Sequence, residues 1–450
     1  MNMYSRSVKN ILRYVARRSG LARDLEYLAT LEKTQWLKRE EIAKIQRQRL
    51  RALIKHAYFK VPYYHRVFKL RGLMPEDIKN QDSLLKLPIL TKEDIRENFD
   101  DLISRDLPRK EMVASSTGGS TGEPLRFYRT RESENWSSAA GLRAYGWSGF
   151  RLGDKTALIW GSPIDLSKWG SLRGRVWNFV TGTLVLNAGS MSETSMKRFA
   201  EKLMWFRPKV IRGYASGVYL FAKFLERRGI NLEPGAVITT AETLFGHQRA
   251  KIEDVFGCSV YDFYGSREVS ALACECSEKS GYHIASENVL LEFIKDHEKV
   301  AANESGTILV TDLTNYAMPF IRYRIGDLGK PLDEACPCGR GLSLFGYLQG
   351  RITDVIVTRD GKSVSSPVFT LVFKDLQHVK EYQIIQESYE KIKVKIVKRG
   401  QYSERDSNYI IGGMKKIVGE DVQIEIEFVD SISPTRSGKR RVVISRISKS

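Results

Sequence analysis

The sequence lacks a run of about 18 or more apolar residues, the length that a membrane-spanning helix requires, so we predict no membrane span. Its beginning also lacks a continuous apolar segment followed by a small-residue cleavage site, so no secretory signal is expected. No internal repeat with a period of roughly 20 to 50 residues is evident, which disfavours solenoids and propellers. These absences leave an ordinary globular protein as the expected class.

Cysteine is scarce. The 450 residues include five cysteines, an odd number, and four of them form two Cys-x-Cys pairs. Disulfide frameworks normally use an even set, whereas paired cysteines in a reducing compartment are typical of metal binding. We therefore predict a cytoplasmic protein whose thiols bind a metal.

Acidic residues are outnumbered by basic ones. The chain has 72 Lys and Arg residues against 53 Asp and Glu residues, which gives a formal net charge of +19. This excess favours an anionic partner, for which nucleotides, polyphosphates, acidic polysaccharides, anionic membranes and nucleic acids are all candidates. Near the start, Val8, Ile11, Leu12 and Val15 recur at helical spacing among basic residues. That pattern suits either a helix on an anionic bilayer, and thus a peripheral membrane contact, or a surface helix packed on its own domain.

Strands and helices alternate in the middle of the chain. The runs 237–242 and 259–265 are rich in β-branched and aromatic residues, and a helical pattern separates them. Likewise, a helical pattern over 192–206 precedes a strand-like run at 209–216 and another helical pattern. This alternation predicts βαβ units and an α/β fold.

The C-terminal part of the chain has a different pattern of apolar and polar residues. Residues 391–398 and 422–428 alternate apolar and polar side chains, as half-buried strands of a smaller sheet do. We place a boundary near Gly350. The predicted domains are a large N-terminal domain, 1–349, and a small C-terminal α+β domain, 350–450.

A serine- and glycine-rich segment is the first candidate for binding chemistry. Residues 115–124 contain five hydroxyl side chains and three glycines. Backbone N–H groups of such a loop can surround an anion while its hydroxyls donate to phosphate oxygens. The segment lacks the ending of a P-loop, and its composition alone fits a plain surface turn equally well.

Four further motifs follow in chain order: Tyr264-Gly265-Ser266-Arg267-Glu268, Arg322-Tyr323-Arg324-Ile325-Gly326-Asp327, Gly350-Arg351-Ile352-Thr353-Asp354 and Ser437-Gly438-Lys439. With the serine-rich segment they resemble the signature of the adenylate-forming enzymes, which comprise acyl-CoA synthetases, peptide-synthetase adenylation domains and luciferases. The stretches 53–68 and 86–98 are similar to the phenylacetate-CoA ligase family, in particular its branch encoded with capsular-polysaccharide genes. The resemblance covers nearly the whole chain.

This resemblance implies a large domain with helix-flanked sheets, a small mobile domain and a reaction in two steps. ATP and Mg²⁺ would activate a small-molecule carboxylic acid as an acyl-adenylate, with release of pyrophosphate. The acyl group would then pass to CoA, to a carrier protein, or to an amine or hydroxyl of a sugar. The capsule-associated branch suggests a role in surface-polysaccharide biosynthesis.

The resemblance also assigns roles that suit the chemistry of each side chain. Glu268 is similar to the carboxylate that binds Mg²⁺, and Asp327 to the acid that accepts both ribose hydroxyls. Arg351 is expected near the ribose and phosphates. Lys439 is similar to the lysine that reaches the α-phosphate during adenylation, although by composition it lies in what resembles a solvated basic turn.

Other residues are expected to line the nucleotide and the substrate. The nucleotide-binding set is Ser115, Ser116, Thr117, Gly118, Gly119, Ser120, Thr121, Gly122, Ala241, Glu242, Thr243, Tyr264, Gly265, Ser266 and Arg267. The acyl pocket is expected between the helix that carries Trp136 and Tyr145 and the loop Tyr214-Ala215-Ser216. A hinge at Thr353 and Asp354 would let the small domain withdraw the lysine and admit the acceptor.

Three residues depart from the family pattern. The phosphate loop commonly carries lysine where Glu123 stands. The residue before the Mg²⁺-binding carboxylate is usually a small hydroxyl, whereas here it is Arg267, which can bind the AMP phosphate or block it. The hinge usually has an acid at the position of Thr353, which moves the expected pivot to Asp354.

Cysteines and a histidine cluster in two segments, 274–283 and 336–338. Thiolate and imidazole ligands from two segments fit a structural tetrahedral Zn²⁺ site, and reduced cysteines beside a histidine are the alternative. Similarity to relatives selects Cys276, His283, Cys336 and Cys338 as ligands. This choice leaves Cys274 spare and Cys258 in the core.

Two other functions stay open. A non-catalytic derivative of the scaffold that binds nucleic acid or another anionic polymer would use the +19 charge, but no nucleic-acid motif stands out and we expect no such partner. An adenylyl transferase would deliver AMP itself to an acceptor.

Overall fold

The computed structural model describes residues 21–117, 125–188, 191–346, 350–351, 355–359, 363–365, 369, 372–373, 376, 378–433 and 441–447. They divide into two compact units, one of residues 21–325 and 329–346, the other of residues 326–328 and the described residues from 350 onward. Within the described parts of the chain, no helix is long and apolar enough to cross a membrane. The basic segment with Val8, Ile11, Leu12 and Val15 lies outside the described residues.

The helices of the first unit are α1 (Leu21–Thr34), α2 (Arg39–Lys60), α3 (Pro62–Leu70), α4 (Lys92–Glu97), α5 (Arg131–Gly146), α6 (Pro163–Gly170), α7 (Leu172–Val180), α8 (Glu193–Phe206), α9 (Ala215–Arg228) and α10 (Gly246–Phe256), with 3₁₀ turns at Pro75–Asp77, Asp82–Lys86 and Arg109–Glu111. Its strands are β1 (Met112–Ser116), β2 (Arg126–Thr130), β3 (Thr156–Trp160), β4 (Thr183–Asn187), β5 (Val210–Tyr214), β6 (Ala236–Thr240), β7 (Val260–Ser266), β8 (Ser270–Glu275), β9 (Tyr282–Ile284), β10 (Val289–Lys295), β11 (Glu298–Lys299), β12 (Gly306–Asp312), β13 (Tyr323–Gly329), β14 (Pro331–Leu332) and β15 (Leu344–Phe345). Residues 326–328 of β13 belong to the second unit.

A nine-stranded sheet forms the centre of the first unit, in the order β14-β15-β9-β8-β7-β6-β5-β3-β4. Strands β3 to β7 pair in parallel, and α9 and α10 connect β5 to β6 and β6 to β7. Parallel strands are covered on both faces, which explains why β6 reads as a nearly continuous β-branched run. Phe221, Phe224 and Phe256 from the connecting helices pack with these strands in one apolar core. The predicted α/β fold is confirmed.

Antiparallel pairs complete the first unit. β7, β8, β9, β15 and β14 extend the sheet on one side. A separate sheet has β10 between β11 and β12, with β13 beside β12, and β1 pairs with β2. The hairpin between β7 and β8 and the β9–β15 pair matter below, because each brings distant side chains together.

The second unit contains α11 (Glu404–Val418) and strands β16 (Gly350–Arg351), β17 (Val355–Val357), β18 (Ser363–Ser365), β19 (Val379–Gln386), β20 (Lys391–Lys398), β21 (Gln423–Phe428) and β22 (Val443–Ser445). Its four-stranded sheet has the order β21-β20-β19-β22. The inward residues Ile392, Val394 and Ile396 of β20 are buried with Ile410 and Met414 of α11. The alternating patterns therefore form strands of a smaller sheet, as predicted.

Candidate functional site

The serine-rich segment starts at the end of a two-stranded ribbon. Ser115 and Ser116 are the last residues of β1, which pairs antiparallel with β2. Thr117 donates its backbone N–H to the Leu125 carbonyl at 2.9 Å, and its Oγ1 accepts from Leu125 N, also at 2.9 Å. These bonds fix where the chain leaves β1 and re-enters β2. The remaining predicted residues of the segment lie outside the described residues: Gly118, Gly119, Ser120, Thr121, Gly122 and Glu123.

The carboxyl ends of β5, β6 and β7 lie at one edge of the parallel sheet. Tyr214 is in register with Thr240, and Thr240 with Phe263. Three predicted segments therefore meet at this edge: Ala215 and Ser216 after β5, Ala241, Glu242 and Thr243 after β6, and Tyr264, Gly265 and Ser266 at the end of β7. In open α/β sheets, ligands bind outside the carboxyl ends of the strands.

Two details at this edge indicate a built site. Glu242 Oε2 accepts a hydrogen bond from Ser216 N at 2.9 Å, which ties the segment after β6 to the segment after β5. Ala241 has a φ of 69°, a left-handed conformation that costs a non-glycine residue about 1–3 kcal/mol. Strain of this kind concentrates at functional sites, where the surrounding structure maintains it.

Glu268 is a buried carboxylate in the turn of the β7–β8 hairpin, 7% exposed. Its Oε1 accepts a hydrogen bond of 2.9 Å from the hydroxyl of Tyr323, which is fully buried at the start of β13. Tyr323 thus holds one carboxylate oxygen in place. The only sequence signal for this contact was that Tyr323 lies within the motif at 322–327.

Arg267 points toward the first turn of α6. Its Nη2 donates to Asp165 Oδ2 at 2.6 Å and to Ser162 Oγ at 2.7 Å. Trp160 Nε1 donates to the same Asp165 oxygen at 2.8 Å. The guanidinium therefore has an anionic partner within the protein. Asp165 and Ser162 were not predicted from the sequence, and their only signal was the capping pattern Ser-Pro-x-Asp.

Asp327 and Arg351 belong to the second unit, where they face each other across the β13–β16 pair. The remaining predicted residues of this part of the chain, Thr353, Asp354 and Lys439, lie outside the described residues.

The predicted pocket residues on α5 have different neighbours. The Tyr145 hydroxyl accepts from Arg212 Nη2 of β5 at 2.7 Å, and the Tyr145 ring lies 5.2 Å from the Phe263 ring. Trp136 instead stacks on Tyr27 of α1 with ring centroids 3.9 Å apart. Tyr145 is thus adjacent to the parallel sheet, while Trp136 packs against an N-terminal helix. Both remain predicted pocket residues.

Four potential metal ligands from three segments meet in one place. Their ligand atoms all lie within 4.8 Å of one another: Cys276 after β8, His283 on β9, and Cys336 and Cys338 between β14 and β15. The Cys276 and Cys336 sulfurs are 3.6 Å apart, and Cys338 Sγ is 3.3 Å from His283 Nε2. A tetrahedral Zn²⁺ with Zn–S bonds of about 2.3 Å separates two sulfurs by about 3.8 Å. The spacing therefore suits Zn²⁺.

Burial controls protonation in this cluster. It raises the pKa of Cys276 to about 12, and it lowers the pKa of His283 to about 4, with Arg340 and Arg143 acting in the same direction. Burial also raises the pKa of Cys338, but hydrogen bonds, including those of Arg340, bring it below its ordinary value. The imidazole is neutral at pH 7, which is the form that binds a metal, and metal binding would displace the thiol proton of Cys276.

The register of the sheet explains why these ligands converge. β9 pairs with β8 on one side and with β15 on the other, and Leu344 lies opposite His283. The loop before β15 therefore carries its two cysteines to the end of β8. Cys274 is buried within β8 outside this group, and Cys258 is partly buried.

Comparison with known proteins gives consistent matches. A family model described as the CapK C-terminal domain matches residues 356–446. The phenylacetate-coenzyme A ligase of Escherichia coli (strain K12) is 30% identical over 335 residues, 71% of this chain and 73% of the ligase. Protein CapK of Staphylococcus aureus is 24% identical over 417 residues, 90% of each chain. The crystal structure of 2-hydroxyisobutyryl-CoA ligase in the postadenylation state, in complex with R3-HIB-AMP, aligns with a TM-score of 0.73 at 20% identity over 92% of this chain and 91% of that one.

Proposed function

Because this chain belongs to the phenylacetate-coenzyme A ligase family, we propose that it couples a carboxylic acid to AMP and then transfers the acyl group to an acceptor. As an AMP-forming acid ligase it uses ATP and releases pyrophosphate. The observation that supports this function best is the meeting of the segments after β5, β6 and β7 at one sheet edge, with the buried Glu268 in the following hairpin turn. Three predicted elements, far apart in the chain, share this edge.

The proposed site neutralises the charge that develops on the phosphates. Adenylation gathers negative charge on the α-phosphate and on departing pyrophosphate, so preorganised cations and dipoles at these positions supply most of the catalysis. We assign the Mg²⁺-binding role to Glu268, since Mg²⁺ usually takes one or two carboxylates plus substrate phosphates. Asp327 would accept the ribose hydroxyls, and Lys439 would bind the α-phosphate during adenylation.

Tyr323→Phe tests the proposed role of Glu268. The variant removes one hydrogen bond to a charged group, an interaction worth about 1.5–3 kcal/mol, so we expect the Mg²⁺ concentration that gives half-maximal pyrophosphate release to rise about tenfold or more. Tyr64→Phe is the matched control, because the buried Tyr64 hydroxyl donates to the Pro319 carbonyl and not to Glu268. Equal Mg²⁺ dependence of the two variants would remove Glu268 from the metal site.

Arg267 is proposed to lie at the edge of the site and to connect the β7–β8 hairpin to α6. Its bonds to Asp165 and Ser162 support a role as a bridge to α6, in place of the small hydroxyl usual in the family. The Arg267 side chain is 39% exposed, so part of it faces solvent. This arrangement makes Arg267 compatible with a nucleotide at the sheet edge.

The substrate is proposed to be an aryl or apolar carboxylic acid. Aromatic rings stand near the carboxyl ends of the strands, where the Tyr214 and Trp160 rings are 5.1 Å apart and Tyr145 adjoins β5. The acceptor is proposed to be CoA, a carrier protein or a sugar. A role in surface-polysaccharide biosynthesis is proposed from the resemblance of residues 53–68 and 86–98 to the capsule-associated branch of the family, and the CapK C-terminal domain model matches the part of the chain that contains Lys439. The free thiols suit a cytoplasmic location.

A panel of carboxylic acids tests this function. We expect one class of acid to stimulate pyrophosphate release from ATP and Mg²⁺, and we expect an assay with and without CoA to show whether CoA accelerates turnover. If CoA has no effect, an amine, a hydroxyl or a carrier thiol is the acceptor. Release that no acid stimulates above the background with ATP alone would contradict the proposal.

The cysteine cluster is proposed to hold a structural Zn²⁺. Purification without chelators should give about one zinc per chain, and Cys336→Ser should lower that content at least about tenfold, because three ligands rarely retain structural zinc. Cys258→Ser is the control and should keep the metal, since Cys258 lies outside the cluster. Elemental analysis checks both. A native chain without near-stoichiometric zinc would contradict the site.

A further inference from the structure

Helix α7 exposes apolar side chains that a helix of a globular protein normally buries. Leu172 is 79% exposed, Val176 57% and Phe179 80%, and no residue of α7 is buried. Spacings of four and three residues align these three side chains in one row along the helix, here called the apolar stripe. Among the described residues, nothing buries this stripe.

The opposite face of α7 is fixed against α6. A Cβ added to Gly174 would overlap the Lys168 carbonyl oxygen and lie 2.7 Å from Trp169 Cα. Only glycine permits such a close approach of two backbones, so α7 cannot rotate to bury the apolar stripe. The stripe therefore faces away from α6.

Basic residues flank the apolar stripe on both sides. At about 100° per residue, Arg173 and Arg175 project to opposite sides of the stripe, and both are exposed. Lys168, near the end of α6, is also exposed. The sequence contains no Asp or Glu from 166 to 192. The surface thus combines an apolar centre with a positive border.

We propose that α7 docks on an anionic phospholipid bilayer. The apolar stripe would enter the boundary between head groups and acyl chains, while Arg173 and Arg175 bind lipid phosphates. This surface is distinct from the basic N-terminal segment.

Other partners satisfy only part of this pattern. A symmetric contact between two copies of α7 would bring like-charged arginines together, which opposes dimerisation. A nucleic acid would bind the arginines but leave the apolar stripe in water. Of these three partners, the anionic bilayer is the one that both covers the apolar centre and neutralises the positive border.

Co-sedimentation of the full chain with vesicles tests the proposal, using phosphatidylcholine with and without phosphatidylglycerol. We expect Leu172→Ser/Phe179→Ser to bind the anionic vesicles at least about tenfold more weakly than the native chain, since membrane affinity scales with buried apolar area. Arg173→Gln/Arg175→Gln should lose most of the preference for phosphatidylglycerol. Leu70→Ser is the matched control, because Leu70 is 80% exposed on α3, and it should bind as the native chain does.

Equal binding of anionic vesicles by the native chain and the Leu172→Ser/Phe179→Ser variant would overturn the proposal. An absence of native vesicle binding, together with a dimer that this double variant abolishes, would also overturn it and assign the surface to a second copy. Circular dichroism confirms that each variant is folded, and exposed positions such as these are expected to tolerate serine.

Discussion

Replacing Lys439 with alanine is expected to slow carboxylate-dependent exchange of labelled pyrophosphate into ATP by about 10²- to 10³-fold, the scale of one preorganised electrostatic contact in a transition state. The lysine is predicted to bind the α-phosphate only while the acyl-adenylate forms. Transfer of the acyl group from a supplied acyl-adenylate should therefore proceed at close to the native rate. This split between the two half-reactions is the signature of a small domain that alternates between two positions.

The neighbouring Arg440→Ala is the matched control for Lys439→Ala. It removes the same charge one residue away, so the long-range field changes equally in both variants. We expect its exchange rate to stay within about threefold of the native rate, since Arg440 lies outside the Ser437-Gly438-Lys439 motif. Equal loss of both half-reactions in Lys439→Ala would contradict domain alternation.

Replacing Glu287 with alanine is expected to lower the free energy of unfolding of the first unit by about 3–5 kcal/mol, because it leaves the Arg143 guanidinium buried without its partner. Both side chains are 2% exposed, and Arg143 Nη1 lies 2.7 Å from Glu287 Oε1. The Thr34 hydroxyl donates to the same oxygen at 2.6 Å, so α1, α5 and the segment before β10 lose a shared anchor. All seven tryptophans lie in the first unit, so urea unfolding followed by their fluorescence measures this unit.

Asp101→Ala is the comparison for Glu287→Ala. Asp101 pairs with Arg66 at 2.8 Å, but both side chains are more than 40% exposed, and such a pair contributes about 0–1 kcal/mol. Burial alone would raise the pKa of Glu287, but the charge and hydrogen bonds of Arg143, together with hydrogen bonds from Thr34 and the Glu287 backbone, hold the pKa below the ordinary 4.5. The stabilisation is therefore present above pH 4.5 and is lost as the pH falls through the lower folded-state pKa. A loss for Glu287→Ala no larger than that for Asp101→Ala would show that the buried pair contributes little.

The parallel core could be predicted from the sequence because local pattern and connection length agree there. The strand-like run at 237–242 became β6 at Ala236–Thr240, and the run at 391–398 matches β20 at Lys391–Lys398. The pattern of apolar residues that marks a strand can be read from the local sequence. A connection long enough to form a helix between two strands indicates a crossover, which joins strands that pair in parallel. The meeting of Tyr214 and Thr240 at one edge follows from that topology.

The contacts within the site could not be predicted, because they join distant residues. Arg267 binds Asp165, which is 102 residues away in the chain. The hydroxyl of Tyr323, at the start of β13 in another sheet, donates to Glu268. Such pairs depend on how sheets and helices pack against one another. The periodicity of apolar residues in the sequence carries no information about that packing. The apolar stripe of α7 illustrates the same limit, since its spacing is also typical of a buried helix and only the structure shows it exposed.

The fate of a carboxylate oxygen tests the central claim most directly. Adenylation joins a carboxylate oxygen to the α-phosphorus of ATP, and acyl transfer then breaks the bond between that oxygen and the acyl carbon. With the acid that the panel identifies, labelled with ¹⁸O in its carboxylate, we predict that mass spectrometry will find one ¹⁸O atom in the AMP released per turnover. Unlabelled AMP, label in inorganic phosphate beside ADP, or AMP retained on an acceptor would contradict the assignment.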